Sequence, residues 1–314
     1  MKKIMLTGVS GNLSAKAAEV LTARWPAEDL VFTTSDPVCR EKYAAKGVET
    51  RLANFNRPEG LEGVFSGVDT LILVSMPFVG PRRRSAHKAA LDAAAAVGVK
   101  RVVYTSVVGA GEPDIDAYEV NDHIWTEQYI RSLPLHWVFL RNSQYAEAMV
   151  SSYLDALEHS GGVLSNNMGE GKMAHISRDD CAEAAACAAM GDWEDRIFDV
   201  NGPELLSMAQ FVAIGNEVTG HTVRYAFSTD EENYAFFDSI GVPRTTEELW
   251  AQTASNFPYC SDGMISFGRA IRKGQMANCT EDFHALTGRR PLSVREVFAD
   301  LQNHRVGDRR STDQ

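Results

Sequence analysis

Two glycines near the start of the chain are spaced as in a loop that binds phosphate. An apolar run ending at Thr7 precedes Gly8 and Gly11, and Ser14 stands where a dinucleotide-binding fingerprint has its third glycine. Unpaired backbone N–H groups and the dipole at the start of the following helix favour an anion there. The third position serves mainly helix-to-strand packing, so a small serine is compatible with binding. The residues predicted to contact the cofactor here are Thr7, Gly8, Ser10, Gly11, Asn12 and Leu13.

A second pair of candidate residues, Ser35 and Asp36, follows the apolar segment LVFTT. A carboxylate at this position accepts hydrogen bonds from ribose hydroxyls and repels a 2′-phosphate, which favours NADH over NADPH. Arg40, one helical turn later, could instead accommodate the phosphate, so NADPH stays open. Asp36 beside Pro37 also fits a helix N-cap, which is compatible with either cofactor.

Such a loop needs a parallel sheet to position it, and the first 140 residues carry the pattern of one. Short β-branched runs alternate with amphipathic stretches, which implies right-handed crossovers and an α/β fold of the Rossmann type, a doubly wound parallel sheet. This context favours a nucleotide site over a simple tight turn. The predicted strands are 3–6, 30–34, 48–52, 70–75, 101–105 and 136–140, and the predicted helices are 13–24, 38–46, 58–66, 81–97 and 119–132.

Beyond Arg141 the alternation loosens and aromatic, helical segments dominate. Helices are predicted at 144–159 and 178–190, and the run RIFDVNGPELLSMAQF predicts a strand followed by a helix. We expect an NAD(P)-binding domain at 1–150, a smaller, mostly helical substrate-binding cap at 151–303 interleaved with the sheet, and a flexible tail at 304–314. Cap residues that could line a pocket for a flat substrate are Tyr225, Phe227, Tyr234, Phe236, Phe237, Trp250, Phe257, Tyr259 and Met264.

Composition excludes several classes of function. The net charge of −11 disfavours nucleic acid, and the short basic run 82–84 is interpreted as a solvated helix start. No apolar run approaches the ~20 residues that span a bilayer, and the N-terminus lacks a signal-peptide pattern, so we expect a cytoplasmic protein and no membrane partner. The five cysteines show no metal-ligand spacing and the eight histidines no Ser-His-Asp order, so no metal site or hydrolase triad is expected.

Five segments together resemble the NmrA-like branch of the atypical short-chain dehydrogenase/reductases. They are TGVSGNLS, GVDTLILVS, HKAALDAAAAVGVKRVVYTS, HIWTEQYI and FLRNSQYAE. The resemblance covers about residues 1–220 in order and spacing, and more loosely reaches about 300. It is greatest to the bacterial NAD(P)H:quinone oxidoreductase type; isoflavone reductases and flavone or flavonol ene-reductases of gut anaerobes belong to the same broad group. The family also includes redox-sensing regulators that catalyse nothing.

The resemblance implies contacts after four further strands. Ligands of open α/β sheets bind beyond the carboxyl ends of the strands, where these residues lie. By position, it implies Asn54 and Phe55 at the adenine, Ser75, Met76, Pro77 and Phe78 at the ribose and nicotinamide, Thr105 and Ser106 beside cofactor and substrate, and Asn142, Gln144 and Tyr145 at the nicotinamide and substrate.

The usual catalytic pair of the superfamily is missing. Most short-chain reductases use Tyr-x-x-x-Lys, whereas the matching helix here places Glu119 at the tyrosine position and His123 at the lysine position. His123 could contact the nicotinamide ribose or stabilise an enolate; the alternative is a structural histidine paired with Glu119 or Glu127 at i±4 spacing. The candidates that would polarise an acceptor carbonyl are Tyr118, His123, Gln144 and Tyr145.

An acceptor that delocalises charge makes strong acid catalysis dispensable. We therefore expect hydride transfer from NAD(P)H, with NADH favoured, to a conjugated planar acceptor: the C=C bond of an aromatic enone such as a flavone or flavonol, with quinone reduction as the alternative. A non-catalytic NAD(P)-sensing regulator is the opposing hypothesis. Use of a flavin stays open, as does a homodimer. The expected partner is a small planar aromatic substrate.

Overall fold

The computed structural model describes residues 2–77, 79–247 and 259–304. Its strands are Ile4–Leu6 (β1), Leu30–Thr34 (β2), Glu49–Leu52 (β3), Thr70–Leu73 (β4), Arg101–Val107 (β5), His136–Asn142 (β6), Val163–Asn166 (β7), Lys172–Met173 (β8), Arg196–Val200 (β9), Leu206–Ser207 (β10) and Arg224–Phe227 (β11). Seven of them form a parallel sheet in the order β3-β2-β1-β4-β5-β6-β9. The chain reverses its direction of growth between β1 and β4, which is where ligands bind in open α/β sheets.

Helices cover both faces of this sheet. They are Asn12–Arg24 (α1), Pro37–Ala44 (α2), Leu61–Phe65 (α3), Pro81–Ala96 (α4), Tyr118–Arg131 (α5), Ala146–His159 (α6), Arg178–Met190 (α7), Met208–Thr219 (α8), Asp230–Ser239 (α9), Ser261–Arg272 (α10), Asp282–Thr287 (α11), Val294–Ala299 (α12) and Leu301–His304 (α13). One core packs α1 and α7 against the sheet, and a second packs α3, α4 and α5 against its other face. The predicted doubly wound Rossmann-type sheet is confirmed.

Three strands end at other residues than predicted. β4 ends at Leu73 rather than at residue 75, because the amides of Val74 and Ser75 donate to threonine hydroxyls. β5 and β6 each run two residues longer than predicted, because Val107 and Asn142 still pair with one another.

A third core lies beyond the main sheet, where α6, α8, α10 and α12 pack together. Two small sheets accompany it, β7 with β11 and β8 with β10. This region is mostly helical, as expected for the cap, while α7 and β9 return to the main sheet. The division near residue 150 stays a prediction. The predictions for Phe78, Trp250, Phe257 and the tail beyond residue 304 lie outside the described residues.

Within the described ranges, no helix combines the length and apolar character needed to cross a membrane.

Candidate functional site

The glycine loop between β1 and α1 leaves the helix start open. Gly8 has φ +66°, a conformation that favours glycine, and its carbonyl accepts from the Gly11 amide at 2.8 Å. Gly11 is the N-cap residue of α1 and has no side chain that could accept from the first turn. The first helical bond runs from the Ala15 amide to the Gly11 carbonyl. The amides of residues 12–14 therefore remain available to an external anion.

The small residue in place of the third glycine packs as predicted. Ser14 is 2 % exposed, and a Cβ on Gly8 would lie 3.9 Å from its Oγ. A Cβ on Gly11 would lie 3.3 Å from the Gly8 carbonyl, so the turn is tight there. Ser10 and Asn12 are exposed, whereas the Leu13 side chain is buried and leaves only its backbone for a ligand. The loop fits a pyrophosphate through its backbone.

Three threonines tie neighbouring strand ends together along the carboxyl edge of the sheet. The Thr7 hydroxyl accepts from the Val74 amide at 3.0 Å, and the Thr33 hydroxyl accepts from the Gly8 amide at 3.3 Å. The Thr105 hydroxyl accepts from the Ser75 amide at 2.8 Å. These bonds give the loops after β1 and β4 a defined position.

A cleft of about 370 Å³ lies beyond β2 and β3, where the adenine is expected. Ser35 and Asn54 both line it, and the side-chain Oδ1 of Asn54 accepts from the Asn56 amide at 3.0 Å. The Phe55 side chain does not face a ligand: it is 6 % exposed and packs 6.0 Å from the Phe65 ring. Only the Phe55 backbone could meet the cofactor, because its side chain completes the core.

The predicted N-cap at the end of β2 is confirmed. The Asp36 carboxylate accepts from the Val38 amide at 2.9 Å, and Pro37 is the first residue of α2. Asp36 and Arg40 are both exposed, and Asp36 directly follows Ser35, which lines the cleft.

The backbone amide and carbonyl of Met76, after β4, are both hydrogen-bonded to side chains of α4. We call this arrangement the Met76 clamp. His87 Nε2 accepts from the Met76 amide at 3.1 Å, and Arg83 Nε donates to the Met76 carbonyl at 3.0 Å. His87 Nδ1 lies 3.0 Å from the Thr126 hydroxyl, and since Nε2 accepts, the proton is on Nδ1. Burial, reinforced by Arg83, lowers the pKa of His87 to about 3, so the ring is neutral. Sequence reasoning missed His87; its i+4 spacing from Arg83 was the available signal.

The basic run at the start of α4 is not the solvated helix start that was predicted. Arg83 is 6 % exposed, and Arg84 Nε donates to Asp122 Oδ1 at 2.7 Å. Asp122 is fully buried and also accepts from the Gly80 amide. The prediction was wrong because the carboxylate on α5 and the Met76 carbonyl supply partners that the local sequence does not show.

His123 pairs with a tyrosine of the sheet rather than with a helix carboxylate. Its Nδ1 lies 2.8 Å from the Tyr104 hydroxyl, and the residue is 7 % exposed. Burial and the nearby Arg83 hold the pKa of His123 well below its usual range, so the imidazole is neutral at pH 7. The alternative pairing with Glu127 is wrong. Tyr118, at the start of α5, is exposed and its amide donates to the Ser266 hydroxyl at 3.2 Å.

Glu127 instead belongs to a buried ion pair that joins β5, β6 and α5. Arg141 donates to its two carboxylate oxygens from Nε at 3.0 Å and Nη2 at 2.7 Å. The Ser106 hydroxyl donates to Glu127 at 2.6 Å. Ser106 therefore acts first as a structural donor at the end of β5.

Unsatisfied polar atoms collect where the chain leaves β6. Both amide atoms of Asn142 and Oε1 of Gln144 are buried without a hydrogen-bond partner among the described residues, and so is Ser75 Oγ after β4. Such atoms are normally satisfied by water or a ligand. Tyr145 is the N-cap residue of α6, and its ring centroid lies 4.9 Å from the Arg178 guanidinium. Burial raises the pKa of Tyr145.

The structure thus brings most predicted positions to one edge of the sheet: Thr7 to Leu13, Ser75, Met76, Pro77, Thr105, Ser106 and Asn142. Arg40 lies on the outer face of α2, and the Phe55 side chain lies in the core. Within residues 2–77, 79–247 and 259–304, no group of histidine, cysteine and carboxylate side chains could hold a metal ion.

Comparison with known proteins matches residues 1–257 to the NmrA-like family. Quinone oxidoreductase 2 of Escherichia coli is 30% identical over 251 residues, covering 80% of this chain and 86% of that protein. Its crystal structure with NADPH superposes with a TM-score of 0.84 at 27% identity, covering 95% and 99% of the two chains.

Two further similar proteins are also named as reductases. The NAD(P)H azoreductase of Xenophilus azovorans is 27% identical over 247 residues, covering 77% of this chain and 82% of that protein. The triphenylmethane reductase of a Citrobacter species, solved with NADP(H), has a TM-score of 0.79 at 26% identity, covering 95% and 99% of the two chains.

Proposed function

Because this chain belongs to the NmrA-like family, we propose that it is an NAD(P)H-dependent reductase that transfers hydride to a conjugated planar acceptor. The observation that carries the proposal is the open helix start behind Gly8 and Gly11. It lies at the edge of the sheet where both amide atoms of Asn142 are buried without a close hydrogen bond among the described residues. Relatives named for the reduction of quinones, azo compounds and triphenylmethane dyes support it.

The chain's own residues supply binding and positioning. The amides at the start of α1 would hold the pyrophosphate, and Ser35 and Asn54 line the cleft for the adenine end. A bound reduced nicotinamide supplies the hydride. The Met76 clamp holds the segment after β4 in place, which keeps the acceptor side of the site in a defined geometry.

The buried groups of α5 limit the acceptors that this site could reduce. The helix contains no lysine, His123 is neutral and bonded to Tyr104, and Glu127 is engaged by Arg141. No strong acid is therefore poised on α5, which suits an acceptor that spreads negative charge over a conjugated oxygen. We propose the C=C bond of an aromatic enone such as a flavone or flavonol as the preferred target, with quinones as the second. Tyr118, Gln144 and Tyr145 are the proposed donors to the acceptor carbonyl.

The test is acceptor-dependent loss of the NADH absorbance with a panel of quinones, flavones, flavonols and chalcones, followed by mass spectrometry of the products. We expect turnover with at least one acceptor and a product heavier by two hydrogens. Tight cofactor binding without consumption of NADH by any acceptor would instead indicate the non-catalytic sensor.

We also propose that NADH is preferred, because Asp36 places an exposed carboxylate next to Ser35, which lines the cleft. Relatives whose structures contain NADPH or NADP(H) support the opposite preference, so the experiment must compare both cofactors. Asp36→Asn keeps an N-cap side chain and removes the charge. We expect it to raise kcat/KM for NADPH relative to NADH about tenfold, equivalent to roughly 1.4 kcal/mol. An unchanged ratio would remove Asp36 from the discrimination.

A further inference from the structure

Two polar residues that sequence reasoning did not select lie beside Asn142 and Gln144. Ser143 is 3 % exposed and its Oγ has no partner among the described residues. His175 is also 3 % exposed, and among the described residues its ring nitrogens make no close hydrogen bond, only a weaker one with the Met173 backbone. Together with the two amides, these are six buried side-chain atoms on four residues that make no close hydrogen bond within the described part of the chain.

The backbone places these residues on adjacent segments. The Ile176 amide donates to the Gln144 carbonyl at 3.1 Å, and the Ala146 amide donates to the Ile176 carbonyl at 2.8 Å. On the other side, the Gly202 amide donates to the Ala174 carbonyl at 3.1 Å. His175 therefore lies on a segment held between the chain leaving β6 and the chain leaving β9.

The His175 backbone is held tightly and its ring is packed. A Cβ on Gly202 would lie 1.9 Å from the His175 carbonyl, so only glycine permits this approach. The ring centroid lies 4.9 Å from that of Phe211 on α8, which restricts the imidazole orientation. Burial lowers the pKa of His175 to about 4, against a weak hydrogen bond with the Met173 backbone that raises it. The ring is therefore neutral at pH 7 and offers one donor and one acceptor.

The chemistry of the set selects an uncharged ligand group. Asn142, Ser143, Gln144 and His175 contribute amide, hydroxyl and neutral imidazole atoms, and none of these four side chains is charged at pH 7. A carbonyl or phenol oxygen matches such a set, whereas a carboxylate or phosphate would need a cationic partner. Gln144 is partly exposed, so the set reaches the surface of the protein through it.

We propose that His175, with Ser143 and Gln144, forms a subsite for a neutral oxygen of the acceptor, and that His175 donates a hydrogen bond to it. This proposal rests on the reductase function proposed above. The subsite makes the protein select conjugated acceptors that carry a carbonyl, quinone or phenol oxygen over planar acceptors that carry none.

The test compares two acceptor probes. The first is 2,3-dimethyl-1,4-naphthoquinone, whose blocked ring carbons do not add thiols; the second is crystal violet, a triphenylmethane dye without oxygen. The variants are His175→Phe, which keeps a planar ring and removes both nitrogens, and His175→Asn, which restores a donor and an acceptor. The readouts are KM and kcat for each acceptor, and the dissociation constant of the quinone measured by tryptophan fluorescence quenching without NAD(P)H.

We expect His175→Phe to raise the KM and the dissociation constant for the quinone about tenfold, with crystal violet changed less than about twofold. His175→Asn should recover most of the quinone affinity. Equal effects on both probes, or none on either, would overturn the proposal and leave His175 as a buried residue satisfied by water.

A third comparison needs no variant and covers the case in which both substitutions prevent folding. The parent protein should bind 2,3-dimethyl-1,4-naphthoquinone at least tenfold more tightly than 2,3-dimethylnaphthalene, and equal affinities would overturn the subsite. If no acceptor is reduced but the quinone shows this preference, the reductase function fails while the oxygen subsite stands.

Discussion

Replacing Gly11 with alanine should weaken cofactor binding while leaving the fold intact. Gly11 has φ −81° and ψ 154°, which alanine adopts without strain, and the added Cβ would meet only the Gly8 carbonyl at 3.3 Å. We therefore expect a loss of unfolding free energy below about 1 kcal/mol. The methyl group would stand at the open helix start, where a pyrophosphate must approach the amides closely.

The expected loss of cofactor affinity follows from the hydrogen bonds between the helix-start amides and the pyrophosphate. A hydrogen bond between an amide and a charged group contributes about 1.5–3 kcal/mol, so losing one raises the dissociation constant for NADH or NADPH roughly 10–150-fold. Isothermal titration calorimetry measures this constant, and thermal unfolding of the same samples measures stability.

Alanine substitutions at two further glycines distinguish the effect of backbone strain from the loss of ligand contact. Gly8 and Gly98 have φ +66° and +81°, and a Cβ on either would meet no described atom closer than 3.9 Å. Alanine at each should cost about 1 kcal/mol of stability and lower the Tm by roughly 2–4 °C. Gly98→Ala, at the opposite edge of the sheet, should bind cofactor like the parent, whereas Gly8→Ala should not. Parental affinity in Gly11→Ala would refute the assignment of this loop as the pyrophosphate site.

Three other expectations follow from buried side chains. Glu127→Gln removes the ion-pair partner of the Arg141 guanidinium, and urea unfolding should show a loss of about 3 kcal/mol; a loss below about 1 kcal/mol would contradict the buried pair. The hydrogen bond to Glu147 raises the pKa of His304, against burial, so this contribution is complete below about pH 6.5 and disappears as pH rises through the folded-state value. The stability difference between the parent and His304→Gln should shrink over that rise, and a constant difference would exclude the linkage. His87→Phe leaves the Met76 amide without its acceptor and should raise KM for NADH about tenfold, with kcat changed less than about threefold. An unchanged KM would show that the Met76 clamp has no part in cofactor binding.

Local patterns were sufficient to predict the layered fold. Most strands of the first 140 residues are short apolar runs, and α2 carries a signal at its start, Asp36 with Pro37. Parallel strands joined by helices place their carboxyl ends at one edge of the sheet. The sequence alone therefore assigns the glycine loop and Asn142 to the same side of the molecule. The resemblance to the NmrA-like family added the later positions from the quoted segments.

The sequence alone thus determined the parallel sheet, the phosphate-type loop and the edge at which a ligand binds, because these depend on short-range periodicity and on the handedness of crossovers. Only the tertiary structure decided which polar side chains have hydrogen-bond or ion-pair partners within the protein. Glu127 accepts from Ser106 and forms an ion pair with Arg141, and His123 is hydrogen-bonded to Tyr104. His175, in contrast, makes no close hydrogen bond with any described residue. Hydrogen-bond partners come from segments distant along the chain, and burial sets the charge of each group, so neither can be found from spacing within one helix.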